Sequence, residues 1–211
     1  MKLQYLLIII LFVAAIGSAM YYYPQMPDQM ASHWNTKGEV DGYMSKFWGL
    51  FLLPIVMAAI LVLFTVIPLI DPLKKNIEQF RGHFDWFIVM ITAYMAYIYL
   101  LCLIWNMGVT YDMNKFIVPA MGVLFIYIAV LLKHAKRNWF IGIRTPWTLS
   151  SDEVWKKTHD LGAKLFFATG IIALFGFVFP DYTIWLILVP ILVTVLVTVV
   201  YSYLEYQKVS K

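Results

Sequence analysis

Six long apolar runs, separated by polar stretches, divide the chain at about 3–23, 47–70, 84–106, 116–133, 162–179 and 183–203. A helix needs about 20 mainly apolar residues to cross a bilayer, and each run is close to that length. Within a run the apolar residues follow one another and do not alternate with polar ones. Only helices and closed barrels satisfy their own backbone polar groups in hydrocarbon, and a barrel strand would alternate. The pattern therefore predicts an all-α integral membrane protein with six transmembrane helices, forming a single membrane domain over residues 1–211. Pro54, Pro68 and Pro190 fall in or near the runs, where membrane bundles tolerate kinked helices.

Two of the polar stretches, 24–46 and 134–161, are long enough to carry function. Which side each faces follows from charge. With six spans both termini share one side. That side holds Lys2, Lys74, Lys75, Arg81, Lys133, Lys136, Arg137, Arg144, Lys156, Lys157, Lys164, Lys208 and Lys211, leaving Lys37, Lys46 and Lys115 on the other. The positive-inside bias puts both termini in the cytoplasm, 24–46 outside as an extracellular loop, and 134–161 inside as a cytoplasmic loop. Topology thus accounts for the net charge of +4, and direct nucleic-acid binding is not needed to explain it.

Composition agrees with this reading. The chain is 62% hydrophobic and 13% charged, whereas a soluble domain is about half apolar and a quarter charged. The first run has a signal-peptide look, with Lys2 ahead of it and small residues over 14–19. It is longer than an apolar signal region of about 7–15 residues. It also ends in Tyr21-Tyr22-Tyr23, which suits a membrane–water interface, so it is read as a retained helix. The single cysteine, Cys102, lies in the third run and reads as a packing residue.

The outer segment opens with Pro24 and Pro27, which end the helix. Asn35-Thr36-Lys37-Gly38 and Asp41-Gly42 are turn signals, so a compact loop with two turns or a short hairpin is expected on the helix ends. Trp34, Tyr43, Phe47 and Trp48 are its expected interfacial anchors. His33, Glu39 and Asp41 are divalent-metal candidates, but their spacing matches no zinc pattern, and a His33–Asp41 hydrogen bond serves as well.

In the inner segment Ser150 and Glu153 form a capping box, so a helix is expected to start near Ser151 and enter the fifth run as an interfacial amphipathic helix. Val154, Trp155, Thr158 and Leu161 form its less polar face. The residues before Pro146 should be extended. Trp139, Trp147 and Trp155 read as an aromatic belt. Arg144, set among apolar residues, should pair with a carboxylate, a helix C-terminus or a lipid phosphate. His83, His134, Asp71 and Asp85 read as ordinary residues at wet span ends.

The two segments together resemble the SdpI family. Pro27-Asp28-Gln29, His33-Trp34-Asn35, Gly38-Glu39 and Asp41-Gly42-Tyr43 with Ser45-Lys46 resemble its N-terminal region. Asn138 to Leu149, with Gly142, Arg144, Thr145, Pro146, Trp147 and Thr148, then Ser151, Glu153, Trp155, Thr158-His159 and Gly162, resemble its C-terminal signature. Family members commonly carry proline where Ala31 stands. The resemblance covers nearly the whole chain. It implies a multi-pass protein of the plasma membrane that gives immunity to a secreted peptide toxin. In some members it also implies signalling, by holding a cytoplasmic repressor at the membrane. The expected partners are thus the lipid bilayer, the toxin and such a repressor.

A transporter or exporter is the alternative, but the runs hold almost no ionisable residue to mark a substrate path. A membrane enzyme is the third reading. His33 with Asp41, or His159 with Asp152, Glu153 or Asp160, would be its acid–base groups. No G-x-S-x-G, H-E-x-x-H or P-loop pattern occurs. The sequence accordingly predicts no catalytic residue, no metal site and no cofactor.

Overall fold

Every apolar run becomes a helix in the computed structural model, which describes residues 2–209. Lys211, counted above among the cytoplasmic charges, lies outside the described residues. The spanning helices are α1 (Leu3–Tyr22), α2 (Lys46–Ile70), α4 (Arg81–Asn106), α5 (Asn114–His134), α7 (Asp152–Leu174) and α8 (Thr183–Val209). Two short helices, α3 (Lys74–Gln79) and α6 (Pro146–Ser150), and one hairpin, β1 (Gln29–Trp34) with β2 (Val40–Ser45), fill the long connections. All six long helices are long and apolar enough to cross a membrane, and the protein is a multi-pass membrane protein. Six spans return the chain to the end where it began, called here the termini end; the opposite end carries the hairpin.

Helix interiors hold Pro54 and Pro68 in α2, Pro119 in α5 and Pro190 in α8 without breaking. The boundaries have local reasons. α7 starts at Asp152, next to the expected start near Ser151, and runs unbroken into the fifth apolar run: Ser151 accepts the Val154 N–H at 3.3 Å, and Asp152 and Glu153 sit at the positive end of the helix. The capping box expected from Ser150 does not form. Ser150 closes α6 instead, its hydroxyl donating to the Pro146 carbonyl at 2.6 Å. The amphipathic stretch is thus the first part of α7 itself.

Small residues set the packing. α5 and α7 approach at Gly122 and Gly170, where a Cβ on Gly122 would lie 2.7 Å from the Gly170 carbonyl oxygen. Close backbone approach at small residues is how membrane helices gain contact without a hydrophobic driving force between them. α7 and α8 share a buried hydrogen bond between Thr169 and Thr194, 3.1 Å long. On the other flank α1 meets α2 and α4, and Ala15 and Ala19 sit in one cluster with Met26, Met30, Leu50 and Met57. A second cluster at the termini end joins Ile67, Ile77, Phe80, Phe84, Ile141 and Trp155.

Asp71 and Asp85 are not at wet span ends; they are 2% and 1% exposed. The Asp71 carboxylate accepts the Leu73 N–H at 2.6 Å and the Trp139 N–H at 2.9 Å, tying the α2–α3 turn to the inner loop. Asp85 receives Arg81 at 2.6 Å and Lys2 at 3.4 Å.

Candidate functional site

The outer segment is the hairpin. Asn35 builds its turn: the side-chain oxygen accepts the N–H groups of Lys37 at 2.8 Å and Glu39 at 3.1 Å, and its amide donates to Glu39 at 3.1 Å. Met30 pairs with Met44 and His33 with Gly42, with register shifts on either side of His33. A bulge of this kind bends the strand and re-aims side chains. His33 Nδ1 lies 2.5 Å from Asp41 Oδ1, and both side chains are open to solvent. Tyr43 is 61% exposed. Glu39 is occupied by Asn35 and does not converge with His33 and Asp41. Among the described residues no three His, Cys, Asp or Glu side chains gather as a metal-ion site.

The helix ends hold the hairpin in place. The Asn106 side chain clasps Ala31, accepting its N–H at 2.8 Å and donating to its carbonyl at 3.1 Å. Asn114 donates to the Asn35 carbonyl at 3.0 Å, and Trp34 meets Trp105 edge to face at 5.7 Å. In the α4–α5 connection Tyr111 donates to the Leu101 carbonyl at 2.5 Å, and burial pushes its phenol up to about 12. Beneath the strands lies a hollow of about 300 Å³, lined by Trp34, Met44, Trp48, Ile98, Cys102 and Met113 among others.

The inner segment is a hydrogen-bonded knot. Asn138, fully buried, donates to the carbonyls of Lys136 at 2.8 Å and Ile141 at 2.9 Å. Its oxygen accepts the N–H groups of Phe140 at 2.9 Å and Ile141 at 2.6 Å. This turn delivers Gly142 at φ +116°, with no room for a side chain, because a Cβ would strike His159 Nε2. The His159 ring is 2% exposed. Nε2 accepts the Ile143 N–H at 3.0 Å, and Nδ1 lies 2.8 Å from the Trp155 carbonyl. A backbone N–H can only donate and a carbonyl can only accept, so His159 is the neutral tautomer with its proton on Nδ1. Trp155 stacks on His159 at 4.0 Å and donates its indole N–H to the Ala135 carbonyl at 2.9 Å.

Thr145 is extended before Pro146, as expected, and it caps α6 reciprocally with Thr148. The Thr145 N–H donates to the Thr148 hydroxyl at 2.9 Å, and the Thr148 N–H to the Thr145 hydroxyl at 3.1 Å. Thr145 also donates to Ser202 at 3.0 Å, which fastens the knot to α8. Lys157 bridges Glu153 at 2.8 Å and Glu205 at 2.9 Å, and Lys208 reaches the same Glu205 at 2.5 Å.

The residues singled out in the inner segment therefore divide. Asn138, Thr145, Thr148, Trp155 and His159 are buried, and they hold one another together with Gly142. Trp155 is core and not part of an aromatic belt; Trp147 leans on Tyr203 at 5.1 Å, and Trp139 is 50% exposed. Arg144 is exposed and donates to the Trp139 carbonyl at 2.7 Å, a loop partner that differs from the carboxylate or helix end expected. Both ring nitrogens of His159 are engaged by backbone, and the ring lines, with Trp155 and Asp160, a hollow of about 500 Å³. His83 and His134 stack on each other at 3.8 Å, a pairing across 51 positions that sequence alone does not show. Asn76, Asn106, Asn114 and Ser202 also anchor these segments. Their signal was one polar residue at or within the margin of an apolar stretch.

Residues 134–202 match the model of the SdpI/YfhL protein family, and residues 9–58 match a domain of unknown function, DUF1648. The chain is 25% identical over 211 residues to the Immunity protein SdpI of Bacillus subtilis (strain 168), covering 100% of this chain and 99% of the relative. No solved structure is a significant match. The resemblance to the SdpI family read from the two motifs is thus met by the chain at full length, and its C-terminal spans, with the knot that precedes them, carry the match to the SdpI/YfhL family.

Proposed function

We propose that this protein is an SdpI-like membrane immunity protein, which protects its cell against a secreted toxic peptide. The observation that carries the reading is the similarity to an immunity protein over 100% of this chain and 99% of the relative. The charge distribution supports an orientation with both termini in the cytoplasm: among the described residues only Lys37, Lys46 and Lys115 belong to the hairpin end. The hairpin then faces outward. It offers a secreted peptide a preformed surface, with His33, Asp41 and Tyr43 exposed and the backbone held by Asn106 and Asn114. A preformed surface loses little ordering entropy on binding.

The test is survival of a toxin-sensitive cell that expresses the chain and is challenged with the toxic peptide. The native chain protects, and a His33→Ala, Asp41→Ala variant at the same membrane level does not. Full sensitivity of cells carrying well-expressed native chain overturns the immunity reading. Undiminished protection by the variant overturns recognition through the hairpin.

Signalling is the second reading, and the exposed rim of the knot favours it. Trp139 is 50% and Phe140 36% exposed beside Arg144, a surface suited to a cytoplasmic repressor. Arg144→Ala should release such a partner from the membrane fraction while leaving protection intact; retention of the partner rejects this role.

A further inference from the structure

The flank between α5 and α7 carries two adjoining hollows near the termini end. One, of about 530 Å³, has an apolar floor of Ala129, Val130, Ala163 and Phe167, with Lys133 and Lys164 among its lining residues. The other, of about 500 Å³, shares Lys133 and Asp160 with it. The spacing explains the arrangement. Lys133 lies one helical turn from Ala129, and Lys164 one turn from both Asp160 and Phe167, so each helix sets a cation beside an apolar surface. Asp160, the carboxylate between them, is taken by Lys156 at 2.6 Å. Among the described residues neither Lys133 nor Lys164 has a carboxylate partner, and both are exposed.

We propose that this groove holds an anionic phospholipid, with one acyl chain along the Ala129–Phe167 floor and the phosphate at Lys133 and Lys164. Two features select the occupant. A floor of alanine, valine and phenylalanine continuous with the membrane-spanning surface excludes water and suits an acyl chain. Two cations without protein counter-ions suit a headgroup that carries net negative charge, as basic pockets between spanning helices do. Lysine stems lie along apolar surface while the ammonium reaches the headgroup level, which allows Lys164 to serve from within α7. Ala129 and Ala163, 5% and 8% exposed, leave the space a larger side chain would fill.

The test uses the full chain purified in mild detergent and loaded with phosphatidylglycerol or phosphatidylcholine of the same acyl chains. Native mass spectrometry reads the lipid retained. Phosphatidylglycerol is retained at least tenfold more than phosphatidylcholine. The Lys133→Gln, Lys164→Gln variant loses that preference, and a Lys37→Gln, Lys115→Gln variant, with the same charge change at the hairpin end, keeps it. Excess inorganic phosphate does not displace the lipid. Equal retention of the two lipids, an unchanged preference in Lys133→Gln, Lys164→Gln, or displacement by phosphate alone each overturns the proposal. A thermal unfolding scan of each variant confirms that the fold is kept.

Discussion

Gly142→Ala isolates the contact on which the inner knot turns. Two penalties add. Alanine at φ +116° is strained by about 1–3 kcal/mol. Its methyl group would also push the His159 ring off Ile143, leaving a part-buried N–H unpaired for about 1–3 kcal/mol more. The sum is about 4 kcal/mol, which for a chain of this size lowers Tm by about 8–16 °C. Cys102, the single cysteine, provides the assay, because a thiol-reactive dye labels it as the third span opens. Two other glycines separate the penalties. Gly108 has φ +99° but open space around it, so Gly108→Ala carries strain alone, about 1–3 kcal/mol. Gly82 lies in α4 with open space and no positive φ, so Gly82→Ala is neutral or slightly stabilising. Equal Tm losses for Gly142→Ala and Gly108→Ala would refute the claim that His159 closes on Gly142.

Asn138→Ala removes four hydrogen bonds made by one fully buried side chain and should destabilise by about 3 kcal/mol or more, read by the same dye. Thr145→Val keeps the side chain's shape but loses the α6 cap and the Ser202 bond; a Tm fall matching about 1–2 kcal/mol is expected, with α6 and the Ser202 turn of α8 exchanging amide hydrogen faster. His33→Ala breaks only a solvent-exposed pair and should change stability by less than about 1 kcal/mol, so any loss of protection it causes is a loss of recognition. Asp85→Asn leaves Arg81 without its partner and should cost about 1–3 kcal/mol, whereas Lys2→Gln, 3.4 Å away and mostly exposed, should be nearly silent in the same scan.

The spans are legible because bilayer thickness fixes their length, and the hairpin because Asn35 and Gly38, at φ +77°, make its turn; the second expected turn at Asp41-Gly42 is absent, since both residues lie within β2, where Gly42 pairs with His33. The knot was legible only in part. The reciprocal cap at Thr145 and Thr148 is hidden in the sequence because threonine, rather than glutamate or glutamine, fills the third helical position, while Ser150 and Glu153 have the more familiar spacing. Asp71 and Asp85 looked wet because each ends a run, yet each is buried by an element far away in sequence: Trp139 meets Asp71, and Lys2 meets Asp85. Trp155 looks interfacial because tryptophan is common there; what buries it is a core shared with Ala135 and Ile141, the first of which takes its indole N–H. For Asp71, Asp85 and Trp155 the reason is the same. Local spacing predicts what a segment does with its own backbone, but a long-range partner decides which side of a helix is inside.

The clasp on Ala31 alters what the hairpin can recruit. A two-stranded ribbon ordinarily exposes a row of backbone donors and acceptors along each outer margin, and either row can template another extended chain. Asn106 brings one donor and one acceptor to Ala31, the same complement that a neighbouring peptide group would bring. The β1 margin is therefore answered in mid-strand by a side chain from α4. An incoming extended segment cannot pair with Ala31 without displacing Asn106.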